Sequence, residues 1–307
     1  MRNRKIRLYA PAKINLFLRV LGRRPDGYHD LETWMQKLDL YDTLILETDS
    51  GTGIEFSCDD PELPMGEDNL AVKAAVAFFS TAGLKKVPKL KIYLEKKIPV
   101  AAGLGGGSSD AGTVLQGLNK LFDQPLSERE LVRLARPLGA DVPFFTVEHG
   151  AVVAHGVGDI MCPVDPLKDV TFVLVNPGFL VSTRWAFENL SLTSTTINYK
   201  LFCFQKHKAG SLPLGEMHND LEEVTSAKYP EIEDMKRLLL ESGASGTLMS
   251  GSGPTVFGVF PDAENPGKPD FNSITDLLCR KFGDRVFVAR SLSENKHFLS
   301  NRGFSEK

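Results

Sequence analysis

Cysteine is scarce in this chain: four residues in 307, at positions 58, 162, 203 and 279, with neither close pairing nor metal-like spacing. That spacing excludes a disulfide framework or a cysteine zinc centre as the basis of the fold, and it fits a reducing cytoplasm. His149 and His155 lack a zincin arrangement and read as structural, so no protein metal site is expected. Net charge is small as well: 36 Lys and Arg against 39 Asp and Glu leave −3. Such a balance gives no general attraction for nucleic acid, and a phosphorylated ligand has to be held by local dipoles and a few placed cations. The basic run Arg2, Arg4, Lys5 and Arg7 reads as the solvated edge of a first strand. No apolar run approaches membrane-spanning length, and Lys13, Asn15 and Arg19 interrupt the run that a leader segment requires. What is present is a globular composition, 42% hydrophobic and 24% charged, in a chain long enough for two cores.

Ile14, Leu16, Leu18 and Val20 alternate with Lys13, Asn15, Phe17 and Arg19, the period of a strand with one face turned inward. Pro25-Asp26-Gly27 reads as a turn. Leu90, Ile92 and Leu94 repeat the alternation, and from Ala111 to Phe122 the apolar spacing becomes helical. Ser127 with Glu130 forms a capping-box pattern, opening a helix that ends at Gly139. Asp141 lies just beyond that end. The polar stretch around Pro163 and Pro166 suggests a boundary, dividing the chain into residues 1–162 and 163–307. Beyond it the pattern predicts a strand at 171–175, a helix near 231–241, strands at 247–250 and 255–260, a helix at 273–282 and a strand at 285–290. That order, β-α-β-β-α-β, is the split ferredoxin-like arrangement. The stretch 184–229 has no clear assignment, and within it residues 192–215 receive no role.

The most informative segment runs Pro99-Val100-Ala101-Ala102-Gly103-Leu104-Gly105-Gly106-Gly107-Ser108-Ser109-Asp110. Glycines let a backbone approach a ligand and turn its amides toward it, and the helix that follows offers unpaired N–H groups and a positive dipole end. Such a nest binds phosphate. Ser108 and Ser109 are placed to cap the helix or to reach a phosphate oxygen. A Walker A loop needs a lysine after its last glycine, and none follows; the dinucleotide pattern G-x-G-x-x-G fails at Ser108.

Three segments together, Pro11-Ala12-Lys13-Ile14-Asn15-Leu16, the glycine loop, and Ser250-Gly251-Ser252-Gly253-Pro254-Thr255, resemble the GHMP kinases. Gly27-Tyr28-His29, Gly139-Ala140-Asp141-Val142-Pro143-Phe144 and Gly156-Val157-Gly158 resemble the branch that phosphorylates a cytidine-diphosphate-linked methylerythritol for isoprenoid synthesis without mevalonate. The resemblance implies a two-domain α+β fold, with a ribosomal-protein-like N-terminal domain, a ferredoxin-like C-terminal domain and a site in the cleft between them. It implies a cytoplasmic enzyme, monomer or homodimer, using ATP as co-substrate with Mg²⁺ arriving on it. Asp141 would be the proton acceptor and Lys13 the charge that stabilises the developing alkoxide. ATP would meet Asn69, Lys96 and the loop from Pro99 to Ser109. The acceptor would meet Asn15, Tyr28, His29, Thr183, Phe187, Gly251, Ser252 and Gly253, with Tyr28 and Phe187 sandwiching the cytosine and His29 reading its edge.

The bland readings stand beside these. Taken singly, Lys13 is an exposed strand residue, Asp141 a turn cap, Phe187 with Trp185 ordinary core, His29 a turn histidine, Asn69 and Lys96 surface residues, and Gly251 to Gly253 a tight turn. Gly112 departs from the family, where alanine is usual, and a helical glycine costs about 1 kcal/mol. The rival functions are another GHMP small-molecule kinase, of mevalonate or homoserine type, and a nucleotide-binding module without transfer.

Overall fold

Two long antiparallel strands, β1 (Lys5–Arg23) and β2 (His29–Asp49), form the ribbon on which the first half of the chain is built. The structure, a computed structural model, describes residues 4–84, 86–191, 214–262 and 269–293. After the ribbon come β3 (Ile54–Cys58), α1 (Leu70–Thr81), β4 (Lys89–Glu95), α2 (Gly106–Leu121), α3 (Glu128–Ala135), α4 (Val142–Thr146), β5 (Ala151–Gly156) and β6 (Ile160–Pro163). The second half runs β7 (Val170–Val175), α5 (Thr183–Glu188), β8 (His218–Asn219), α6 (Asp220–Lys228), α7 (Glu231–Glu241), β9 (Gly246–Met249), β10 (Val256–Pro261), α8 (Phe271–Phe282) and β11 (Val286–Arg290).

The first sheet has the order β3-β4-β2-β1-β8, with β5 also paired to β2 and β6 to β5. The second has the order β11-β7-β10-β9, every pair antiparallel. With α7 and α8 as its crossovers, this is the ferredoxin-like arrangement that the sequence suggests. The expected stretch without assignment holds α5, β8 and α6; residues 192–213 lie outside the described residues.

One expectation fails in an instructive way. The strand around 13–20 is part of a 19-residue strand, and both its faces are buried. Leu8 and Ala10 pack under α1 and α2, whereas Ala12, Ile14 and Leu16 pack against Phe172, Leu174 and Phe257 of the second sheet. These residues share one parity. A register shift between Pro11 and Ala12 exchanges the faces, as a bulge does, and so brings Lys13 and Asn15 round to the side of the helices. On β7 the alternation is equally complete: Phe172 and Leu174 face the first sheet, and Val173 and Val175 face α7 and α8. Burial on both sides is why this strand reads as an unbroken apolar run. The halves therefore share a core, further joined where β8 pairs with β1 and Leu38 bridges to Ser291.

Candidate active site

Helix α2 begins at Gly106, with Gly105 in the left-handed region (φ 71°) as its N-cap and no side-chain cap. The two serines therefore do not cap it, and Gly106 and Gly107 form its first turn, where backbone N–H groups have no intrahelical partner. Gly105 must be glycine on two counts, its φ and its space: a Cβ there would lie 3.0 Å from the Lys13 side chain. The expected loop contacts divide. Pro99 to Gly103 and Gly105 to Ser108 line the cleft. Leu104 and Ser109 do not, because both are fully buried; the Leu104 carbonyl accepts from the Lys13 amide at 2.9 Å, and the Ser109 amide bonds to Gly105 at 2.8 Å. A helix presents only one side to a ligand, and Ser109 falls on the other.

Lys13 is not an exposed strand residue; it is 3% exposed. Its Nζ stands 3.4 Å from Asp141 Oδ2 and donates to Asn15 Oδ1 at 2.6 Å. Asp141 is the N-cap residue of α4, yet its side chain makes no capping bond. The carboxylate is thereby left to face Lys13 across the cleft. Helix α4 is seated on α2 through Gly112, where a Cβ would fall 2.6 Å from the Cβ of Phe145. The departure from alanine is thus a close-packing requirement, not a loosening of the helix.

Asn69 and Lys96 are not surface residues either. Asn69 is mostly buried and caps α1, accepting from the Ala71 amide and donating to the Pro64 carbonyl. Lys96 Nζ lies between two buried carboxylates, 2.5 Å from Asp42 and 3.1 Å from Asp110. The same Nζ would sit 3.2 Å from a Cβ on Gly106, directly behind the first turn of α2. Burial opposes the charge on Lys96, but the two carboxylates overcome it and raise its pKa. Burial pushes the Asp110 carboxyl up to about 7, against the pull of Lys96 and with the help of Asp42. Asp42 in turn accepts from the amides of Lys97 and Ile98, which fixes the chain as it enters the loop.

On the opposite wall, Thr183 and Ser252 share a hydrogen bond of 2.9 Å, and Gly251 lies against both Lys13 and Asn15. Gly253 does not line the cleft; it belongs to the turn, its α-carbon facing Met249. Phe187 lines the cleft, but the ring stacked on it is His29, with centroids 5.0 Å apart and 21° between planes. Tyr28 is 63% exposed and does not line the cleft; His29, the first residue of β2, is the one whose ring meets Phe187. Burial, with Arg23 nearby, lowers the His29 pKa.

The cleft lined by Lys13, Asn15, Asp141, Thr183, Phe187 and the glycine loop has a volume of ≈ 480 Å³, the size of a small-molecule site. Sequence reasoning missed Thr33, Asp42 and Asp110. For Asp110 a signal existed: an acid beside the loop on a helix otherwise apolar on that side. Asp42 and Thr33 sit in a strand of ordinary composition and carry no local signal.

Residues 69–149 match the GHMP kinases N terminal domain, and residues 205–268 match the GHMP kinases C terminal domain. A 4-diphosphocytidyl-2-C-methyl-D-erythritol kinase of Desulfotalea psychrophila is 50% identical over 94% of this chain and 96% of its own length. Its namesake from Geobacter sulfurreducens is 45% identical over 85% of this chain and 92% of its own. Among solved structures, a 4-(cytidine 5'-diphospho)-2C-methyl-D-erythritol kinase superposes with a TM-score of 0.72 at 34% identity, covering 92% of this chain and 98% of that one. A homoserine kinase from Cytophaga hutchinsonii, at 17% identity, 95% coverage of each chain and a TM-score of 0.68, shares the fold.

Proposed function

We propose, from the premise that this chain belongs to the GHMP kinases and within them to the 4-diphosphocytidyl-2-C-methyl-D-erythritol kinase family, that it transfers the γ-phosphoryl group of ATP to the 2-hydroxyl of that compound, in the isoprenoid route that bypasses mevalonate. The observation that carries the reading is geometric: Lys13 and Asp141 form an ion pair in the same cleft as the free amides of the α2 first turn. Phosphoryl transfer asks mainly for positioning and charge compensation. In this reading the loop from Gly103 to Ser108 holds the nucleotide's phosphates, and Lys96 stands behind them.

The acceptor hydroxyl lies between Asp141 and the γ-phosphorus. As its oxygen bonds to phosphorus and the bond to the ADP oxygen breaks, its proton passes to the Asp141 carboxylate. Lys13 compensates the charge that gathers on the acceptor oxygen and the transferring group. Mg²⁺ would enter with ATP, and the Ser108 hydroxyl, which lines the cleft, suits such an ion, which keeps most of its ligands as phosphate oxygens and water. When bound it would supply charge neutralisation on the phosphates.

For the acceptor, Thr183 and Ser252 offer hydroxyls to the diphosphate and methylerythritol, and Asn15 faces the same space. No ring fits between His29 and Phe187 as they stand, so the cytosine takes the Phe187 face by displacing His29 toward its own polar edge. Tyr28 then closes from outside. Division of the chain at 162/163 belongs to the same reading, with the nucleotide loop in the first part and the Gly251-Ser252 turn in the second.

The test is a coupled assay of the pure protein with Mg-ATP and, separately, the diphosphocytidyl compound, mevalonate and homoserine. Acceptor-dependent ADP with the first alone supports the reading. ADP formation with one of the other two, or with none, rejects the assignment.

A further inference from the structure

We propose that Thr33 is a positioning residue for the Lys13–Asp141 pair, acting through Asn15; this rests on the kinase reading above. Thr33, on β2, is one of the buried polar residues that sequence motifs leave unmarked, 3% exposed beside Asn15 at 2% and Lys13 at 3%. The three are linked in one line. Lys13 Nζ donates to Asn15 Oδ1 at 2.6 Å, Asn15 Nδ2 donates to Thr33 Oγ1 at 2.8 Å, and Thr33 Oγ1 donates to the Phe17 carbonyl at 2.8 Å.

The direction of this line is fixed from both ends. An ammonium group can only donate, so Asn15 must turn its carbonyl oxygen to Lys13 and its NH₂ to Thr33. A backbone carbonyl can only accept, so the Thr33 proton goes to Phe17 and its lone pair is left for Asn15. The Thr33 hydroxyl therefore anchors, from the far end, the same sense of the Asn15 amide that the lysine demands. In a site shielded from water a chain polarised in one sense is strengthened at each link, and a gap in it is costly.

The backbone holds only part of this arrangement. The Asn15 backbone N–H donates to Ser250 Oγ at 3.3 Å, and Gly251 lies against Asn15 Oδ1 and Lys13 Nζ, each 3.3 to 3.4 Å from where its Cβ would be. Those contacts limit where the two side chains can go without setting the amide's sense. Without the Thr33 hydroxyl, the Asn15 NH₂ has no acceptor among the described residues, and the side chain is held from the lysine end alone. The oxygen that keeps Lys13 beside Asp141 is then less firmly placed. The predicted consequence falls on the chemical step, because the nucleotide loop and the Thr183–Ser252 wall are built from other residues.

The experiment compares Thr33→Val, which keeps the shape and removes the hydroxyl, with Thr33→Ser, which keeps the hydroxyl. Thr33→Ala serves in the same role as Thr33→Val should the latter not yield folded protein. Displacement of a catalytic group by about 1 Å costs on the order of 10²-fold, so kcat is expected to fall roughly 10- to 100-fold in the hydroxyl-free variants, with the KM for ATP little changed. Thr33→Ser should restore most of it. Full kcat without the hydroxyl overturns the proposal, as does a Thr33→Ser variant as impaired as Thr33→Val, which would assign the effect to packing. A rise in the acceptor's KM at unchanged kcat also overturns it, making Thr33 a substrate contact. Wild-type protein without acceptor-dependent ADP defeats the kinase reading itself, a separate outcome from any of these.

Discussion

Gly112 of α2 and Phe145 of α4 meet so closely that a methyl group on Gly112 would lie 2.6 Å from the Phe145 Cβ and 2.9 Å from its carbonyl carbon. Helix propensity and packing make opposite forecasts here. Propensity favours Gly112→Ala by about 1 kcal/mol. Overpacking against backbone costs roughly 1 to 3 kcal/mol, since a carbonyl carbon cannot swing aside as a side chain can. The expected result is a lower melting temperature together with a reduced kcat, because α4 carries Asp141 at its N-terminus. A melting temperature that rises would show that α4 yields without cost.

Asp141→Asn tests the proton acceptor. Nucleotide affinity should stay near wild type, as the loop amides are untouched, while turnover falls by roughly 10² to 10⁴. That corresponds to about 2.7 to 5.5 kcal/mol of barrier. Wild-type turnover in this variant removes Asp141 from the role.

Phe187→Ala addresses the acceptor's base. Stacking a base on an aromatic ring contributes about 1 to 3 kcal/mol, so the acceptor's KM should rise by roughly tenfold or more while that of ATP barely moves. Equal changes in both constants would mark the ring as packing alone.

The Lys96 cluster predicts a pH effect on stability. Burial raises the Asp110 carboxyl from 3.8 to about 7. Between those values the folded chain keeps a proton that the unfolded chain has released, so stability falls as pH climbs through the interval and levels off above it. The melting temperature of the wild type should therefore decline from about pH 5 to pH 8 relative to Asp110→Asn, which has no proton to lose at that position. Parallel curves for the two proteins would mean that Asp110 is ionised throughout.

The glycine loop, the Lys13 and Asp141 positions and the order of the second sheet could all be read from letters, because each leaves a local trace: clustered small residues, a short motif, or a period of two. What could not be read are features that depend on a partner distant in sequence. Gly112 looks like a helix defect until Phe145 is seen above it. Lys96 looks solvent-facing until Asp42 and Asp110 close round it. The parity of Lys13 is legible, but the burial of both faces of its strand is not, since a sheet from the other half supplies the second cover. Tyr28 and His29 are adjacent, and only the course of the turn decides which of them meets Phe187.

A Cβ on Gly103 would lie 2.0 Å from the carbonyl oxygen of Ser250, and the Ser250 hydroxyl donates to the Gly103 carbonyl at 2.9 Å. The two loops come from opposite halves of the chain, so the cradle proposed for the nucleotide has its floor in one half and its brace in the other. A nascent or truncated chain that ends before the brace is made carries the glycine motif without the surface that shapes it. In the proposed reading, occupancy by nucleotide then reports that both halves have come together, and a glycine loop excised as a fragment has no such report to give.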